Sequence, residues 1–171
     1  RVLFRSDKLL WFNAHYLRET PLDELARLVL PFIHQKGFTD ATEASVEPLL
    51  PLYRERAKNL IELADGLAQL LCKSADLPYD EAGVAKWMTD EGKEHVKVIR
   101  DQLAALPSFD KESIEHVIHS YVESLGVKFK MVAQPVRVAI TGVIGGPSLP
   151  EFMLAIGKDE TLARMDRGLA L

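Results

Sequence analysis

The stretch Ala133-Gln134-Pro135-Val136-Arg137-Val138-Ala139-Ile140-Thr141-Gly142 decides the fold. Residues 136–144 are the one β-rich candidate in the chain, so the segment reads either as a strand or as the body of a helix over 129–142. Pro135 then marks that helix's first turn or kinks it, and Thr141-Gly142 closes it. No other stretch alternates with the two-residue period of a strand for long. Read as a helix, this segment makes the whole chain all-α.

Composition agrees. The 171 residues are 47% apolar but only 8% aromatic. Such a core is aliphatic, which favours helices packed through Leu, Ala, Ile and Val stripes over a strand-rich sandwich. Cys72 is the one cysteine, so no internal disulfide forms and no Cys/His cluster has zinc spacing. A lone thiol suits a reducing, cytoplasmic compartment. No run of about 18 apolar residues is present to span a membrane. The first residues, Arg1 to Ser6, lack the features of a signal peptide and read as the cut edge of a longer chain or an expression scar. The formal charge of −4 speaks against nucleic acid as a partner on global grounds. A few Arg and Lys placed on one face act locally, however, within a screening length of roughly 8 Å.

Working outward, helical periodicity and stop signals predict a series of helices. Asp7 to Arg18 is the first, and Thr20 caps a second that has Pro21 in its first turn and stops at Lys36-Gly37. Thr42 to Cys72 is helical but broken: Pro48 and Pro51 predict a helix to Leu50, a kink over 51–54 and a second helix through Leu70. That kink holds Arg54 and Arg56 at a bend. Helices follow over 80–88 and 91–106, and from Ser108 or Asp110 to Ser124, where Gly126 stops the last. The Gly145-Gly146-Pro147-Ser148 loop separates the 129–142 segment from short helices over 149–156 and 159–169. Two helical subdomains are expected, 7–106 and 107–171.

Catalytic signatures are missing. The chain has no phosphate-cradling glycine loop and no nucleophile elbow. Cys72 falls in an apolar helical stripe, as a core residue does. His116 and His119 share a helix face, but no further ligand completes a metal set. Paired carboxylates such as Asp90-Glu91 and Asp159-Glu160 stand at helix starts, where the dipole accounts for them. No catalytic residue, metal or cofactor is therefore expected within this chain. Arg137 is the unusual residue. It reads either as a side chain that snorkels from an apolar face to solvent, or as a planar five-donor fork aimed at a base edge or phosphate, with Gln134 beside it.

The segment 133–142 resembles the AQPLRVALTG segment of bacterial-type glutamyl-tRNA synthetases. Lys8-Leu9-Leu10-Trp11-Phe12-Asn13 with Tyr16-Leu17 is similar to the family's KLxWxNxxYL stretch, and Arg54-Glu55-Arg56 with Leu60 to its RxRxxxL bend. Gly126-Val127-Lys128-Phe129 resembles GLKM, Pro147-Ser148-Leu149 the SPGL loop, and Leu154 to Arg164 the LLGKExxLxRL ending. These motifs occur in the family's order over nearly the whole chain. The departures are Lys130 where the family usually has Gly, Met131 where it often has Lys or Gln, and Gly145-Gly146 where a hydroxyl often precedes the proline.

The resemblance implies an all-α helical cage, in two subdomains, that grips the anticodon loop of glutamate tRNA. It carries the family's reader of the third anticodon base onto Arg56, where an arginine favours C over the G of the glutamine anticodon. It makes Arg137 a second anticodon-contacting arginine, and puts Gly146, Pro147 and Leu149 in the loop that packs on splayed bases. Arg54 and Gln134 join these as RNA-binding candidates, and Lys8 and Asn13 fall in a linking helix near the tRNA stem. ATP and Mg would belong to a catalytic domain absent from this chain, and the protein is expected to be a cytoplasmic monomer. Three other readings compete: a helical scaffold or protein-interaction domain without RNA binding, a small metalloenzyme built on His116 and His119, and a class I lysyl-tRNA synthetase cage.

Overall fold

The computed structural model describes residues 13–171. Lys8, Trp11 and the 1–6 stretch lie outside them. Helical segments run over 13–19 (α1), Leu22–Gln35 (α2), Glu43–Val46 (α3), Leu50–Arg54 (α4), Leu60–Leu71 (α5), Glu81–Trp87 (α6), Asp90–Ala105 (α7), Lys111–Leu125 (α8), Phe129–Thr141 (α9), Leu149–Ile156 (α10) and Lys158–Leu169 (α11). Short 3-10 turns occupy Glu47–Leu49 and Ser74–Asp76. No strand occurs among the described residues, so the ambiguous segment is a helix and the fold is all-α.

The β-branched residues of α9 are there because the helix is covered on nearly every side. Val132, Val136, Val138 and Ile140 are all buried, against α6, α7, α8 and α11. Packing of this kind outweighs their modest helix propensity. Pro135 sits inside the helix without ending it. Gly142, at φ 77° and in the left-handed conformation, is what stops it. An added Cβ there would come within 1.9 Å of the Pro78 carbonyl oxygen. The close approach lets the Asp80 N–H donate to the Gly142 carbonyl at 2.8 Å.

Residues divide into two compact units, Arg1–Leu71 and Cys72–Leu171. The boundary falls at 71/72 and not at the expected 106/107, because α7 packs on α8, α9 and α11, and α6 on α9. In the first unit α2 lies along α5, with α3 and α4 beside them. Thr20 does not cap α2 as expected: Pro21 takes the N-cap position, and the Thr20 hydroxyl donates back to the Tyr16 carbonyl at 2.6 Å. Nor does the chain kink over 51–54. Pro48 and Pro51 stand in first-turn positions, where a missing N–H costs nothing, and the break comes after Arg54, over residues 55–59.

In the second unit side-chain caps set the helix starts. Asp80, Thr89, Asp110 and Ser148 each accept the N–H three residues on. Hydrogen bonds from the Ser108 hydroxyl and the Ser113 N–H hold the Asp110 carboxyl below the usual aspartate range. Its support of α8 is therefore complete above the ordinary aspartate pKa and is lost as pH falls through the lowered one. Lys158 closes the other end of α7, donating to the Ala104 and Leu106 carbonyls at 2.9 Å each.

The unit is fastened by Arg164, whose exposure is 0%. Its Nε donates to Glu160 Oε1 and its Nη1 to the Ile140 carbonyl, both at 2.9 Å. Nη2 donates to the Cys72 carbonyl, and the guanidinium lies 5.7 Å from the Phe152 ring centre. One side chain thus joins α9, α10, α11 and the residue that follows α5. Replacing Arg164 with Ala should lower the unfolding free energy of the Cys72–Leu171 unit by about 3 to 5 kcal/mol, because a carboxylate and two carbonyls lose their buried partner. Arg164→Lys should recover little of this, since one ammonium cannot reproduce the planar fork. Urea unfolding followed by circular dichroism reads both.

Candidate nucleic-acid interface

The sequence-derived residues fall into two groups, one in each unit. In the first, α4 delivers Arg54 as its last residue and Arg56 lies in the turn that follows. The turn is tied at its root, where the Arg56 and Ala57 N–H groups donate to the Tyr53 carbonyl at 3.0 and 2.9 Å. Tyr53 is buried and its hydroxyl donates to Gln69 Oε1 of α5 at 2.9 Å. The ring lies flat over Gly66, where a Cβ would meet it at 2.2 Å. On the far side, Asn59 Oδ1 accepts the Glu62 N–H while Glu62 Oε2 accepts the Lys58 N–H, both at 2.9 Å. This reciprocal cap starts α5.

Between these anchors the turn presents its cations differently. Arg54 is half-buried, and its Nε is shielded from solvent without a partner among the described residues. Glu55 is engaged by Arg18 at 3.2 Å. Arg56 is exposed, and its guanidinium has no ion pair or hydrogen bond among the described residues. An Arg on a fixed backbone with its donors open is what an incoming acceptor needs. Asn13 is half-buried in α1.

The second group lies at the junction of α9 and α10. Arg137 is half-buried, and its Nη1 donates to the Pro147 carbonyl at 2.7 Å. Neither expected reading covers this: the side chain neither merely snorkels nor is it wholly uncommitted, because it holds the loop that follows its own helix. Thr141 adds a second brace. Its hydroxyl bonds the Arg137 and Val143 carbonyls at 2.8 and 2.9 Å, and the Val143 N–H at 3.2 Å. Gly146 takes φ 133°, Pro147 is buried and Leu149 is 3% exposed. Pro147 and Leu149 therefore anchor the loop inward. What it shows to solvent is Ile144, at 52% exposure, with Gly145 and Ser148. Gln134, also on α9, carries an Oε1 shielded from solvent without a partner among the described residues.

Sequence reasoning missed the braces, namely Thr141, Tyr53 and Gly66. Thr141 alone was signalled, as a hydroxyl just before a helix-stopping glycine. Cys72 is buried, as expected, but lies one residue past the end of α5 and not within it. Burial pushes its thiol pKa up, only partly offset by the nearby Arg164 cation. Among the described residues no group of three or more His, Cys, Asp or Glu is placed to hold a metal ion. The His119 ring instead stacks on Phe129, with centres 5.0 Å apart.

Residues 24–169 match the family model described as an anticodon binding domain. The chain belongs to that family. This anticodon-binding domain is 53% identical over 168 residues to the glutamate–tRNA ligase of Nitratidesulfovibrio vulgaris strain Hildenborough, covering 98% of the chain and 36% of the relative. It is 45% identical over 164 residues to the glutamate–tRNA ligase of Lawsonia intracellularis, covering 96% and 35%. The anticodon-binding domain thus spans about a third of the length of the curated relatives it matches. Its fold is that of part of the glutamate–tRNA ligase crystal structure from Elizabethkingia meningosepticum, with a TM-score of 0.79 at 22% identity over 94% of this chain and 31% of that one. The glutamate–tRNA synthetase of Elizabethkingia anophelis gives 0.76 at 21% identity, over 95% and 31%.

Because the Arg54–Arg56 turn is carried by the Tyr53–Gly66 contact, Gly66→Ala should destabilise the first unit by about 1 to 3 kcal/mol through overpacking. Tyr53→Phe, which removes only the bond to Gln69, should cost about 1 kcal/mol. Thermal melting of the two variants side by side separates the contributions.

Proposed function

We propose that this chain recognises the anticodon loop of glutamate tRNA, as the anticodon-binding region of a glutamate–tRNA ligase. In that reading a separate catalytic domain of the same enzyme uses ATP and Mg to attach glutamate to the tRNA, and the whole works as a cytoplasmic monomer. The observation that carries the reading is Arg56: an exposed guanidinium, open among the described residues, on a turn fixed at both ends, within a chain of the anticodon-binding family. Unpaired loop bases expose their Watson–Crick edges. The third anticodon base is then met by a donor fork: C offers O2 and N3 as acceptors, whereas G at that position sets its own N1–H and N2–H₂ donors against the guanidinium. Rejection of G by like donors left unpaired gives the selectivity.

Arg137 acts differently in this reading. Its bond to the Pro147 carbonyl makes it the residue that shapes the Gly145–Ser148 loop, whatever base that loop meets.

The test is tRNA binding by the ligase that carries this chain, with anticodons ending in C or in G. The unaltered enzyme should favour C by about tenfold or more, and Arg56→Gln should erase most of that preference. A preference that survives Arg56→Gln overturns the assignment of that residue. Arg137→Ala should weaken both tRNAs alike. If neither variant alters tRNA affinity, the chain acts as a scaffold and not as a reader.

A further inference from the structure

The turn from α8 into α9 carries a run of exposed apolar side chains. Leu125 is 42% exposed, Val127 36%, Phe129 45% and Met131 36%. They alternate with Lys128 and Lys130, both exposed and neither ion-paired among the described residues. Gly126, left-handed at φ 66°, reverses the chain between the two helices. That reversal lays the Phe129 ring against His119 of α8, with centres 5.0 Å apart and planes 25° from parallel. His116 stands one helical turn earlier, exposed and within 3.4 Å of the Ser120 hydroxyl. The first turn of α9 has neither a side-chain cap nor an acidic residue.

We propose that this turn is a second RNA-contacting surface, separate from Arg56 and from the Pro147 loop, where an unpaired base stacks on the Phe129–His119 platform. Lys128 and Lys130 hold the phosphates on either side of that base. The proposal rests on the reading of the chain as an RNA binder. Two features favour RNA over other occupants. A near-parallel pair of rings in water offers a flat π face to a base. Lysines with no ion pair among the described residues, beside a helix start without a side-chain cap, give the patch a positive field in a chain whose overall charge is −4. A second copy of the chain would bring the same lysines against each other.

The test uses the full chain and two probes: a short single-stranded oligoribonucleotide bearing a fluorescent purine analogue, and the anticodon-arm hairpin of glutamate tRNA. Stacking should quench the analogue. Phe129→Ala should weaken the oligonucleotide about tenfold and abolish the quench, and Phe129→Trp should restore both. Lys128→Gln with Lys130→Gln should flatten the dependence of log affinity on log salt by about 1 to 2. Phe129 is already half in water, so an unchanged melting temperature shows that Phe129→Ala folds. Equal affinity and quench in Phe129→Ala and the unaltered chain overturn the proposal. So does a Phe129-dependent self-association without an effect on RNA. Loss of oligonucleotide binding in Phe129→Ala while Arg56→Gln changes nothing on the hairpin supports the platform and counts against the anticodon reading. The converse pattern supports the anticodon reading alone.

Discussion

A guanidinium buried without access to water must have its donors satisfied by protein, and Arg164 meets that requirement with main-chain carbonyls from two separate places in the chain. The Ile140 carbonyl belongs to the last turn of α9 and the Cys72 carbonyl to the residue after α5. Helix C-terminal carbonyls lack intrahelical donors and carry the negative end of the dipole, so a cation placed there both satisfies and stabilises them. Arg167, one turn on, donates to the Ser74 carbonyl and lies 5.4 Å from the Tyr79 ring centre. The Tyr79 hydroxyl in turn donates to the Ala139 carbonyl at 3.1 Å. Burial raises the Tyr79 pKa, with Arg167 opposing it, so the phenol stays a donor. The last turns of α9, from which the Pro147 loop departs, are therefore fixed by donors on α11 and on the segment before α6.

The turn over 55–59 and the loop over 143–148 share a logic. Each is a short irregular segment whose ends are locked by side chains, while its middle faces water. In the first unit the locks are an aromatic ring over a glycine and a reciprocal Asn–Glu cap. In the second they are Thr141 and Arg137. Irregular backbone positioned by a rigid support is where binding residues are commonly found, because little ordering entropy then remains to be lost on contact.

Much of the fold was legible in the sequence, for identifiable reasons. The helix stops at Gly37, Gly126 and Gly142 all take positive φ, as glycine after an apolar periodic run suggests. Helix starts were expected at residue 80 and at Ser108 or Asp110, and Asp80 and Asp110 are the caps of α6 and α8. What misled was proline. Pro48 and Pro51 looked like breakers, yet both occupy first-turn positions where they favour a helix, and the true break at 55–59 has neither proline nor glycine. Local periodicity says nothing of which helices pack together, so the division into compact units at 71/72 was not legible from it. Arg54, Arg56, Arg137 and Gln134 were singled out as candidates by residue type and motif, but their contacts were not legible: that Arg137 holds a carbonyl and that Leu149 turns inward depend on the folded chain.

Glycine has another consequence around α9. A Cβ on Gly168 would come within 2.7 Å of the Ala139 Cβ, and one on Gly142 would strike the Pro78 carbonyl. Main chain thus lies against α9 at these points with no room for a side chain to intervene. Spacing set in this way does not change when neighbouring side chains are exchanged. The outward positions, such as Ile144, Gly145 and Lys130, can then vary without shifting the frame beneath them. That separation lets one scaffold be re-specified for a different loop sequence by surface substitution alone, and gives a designer the same freedom.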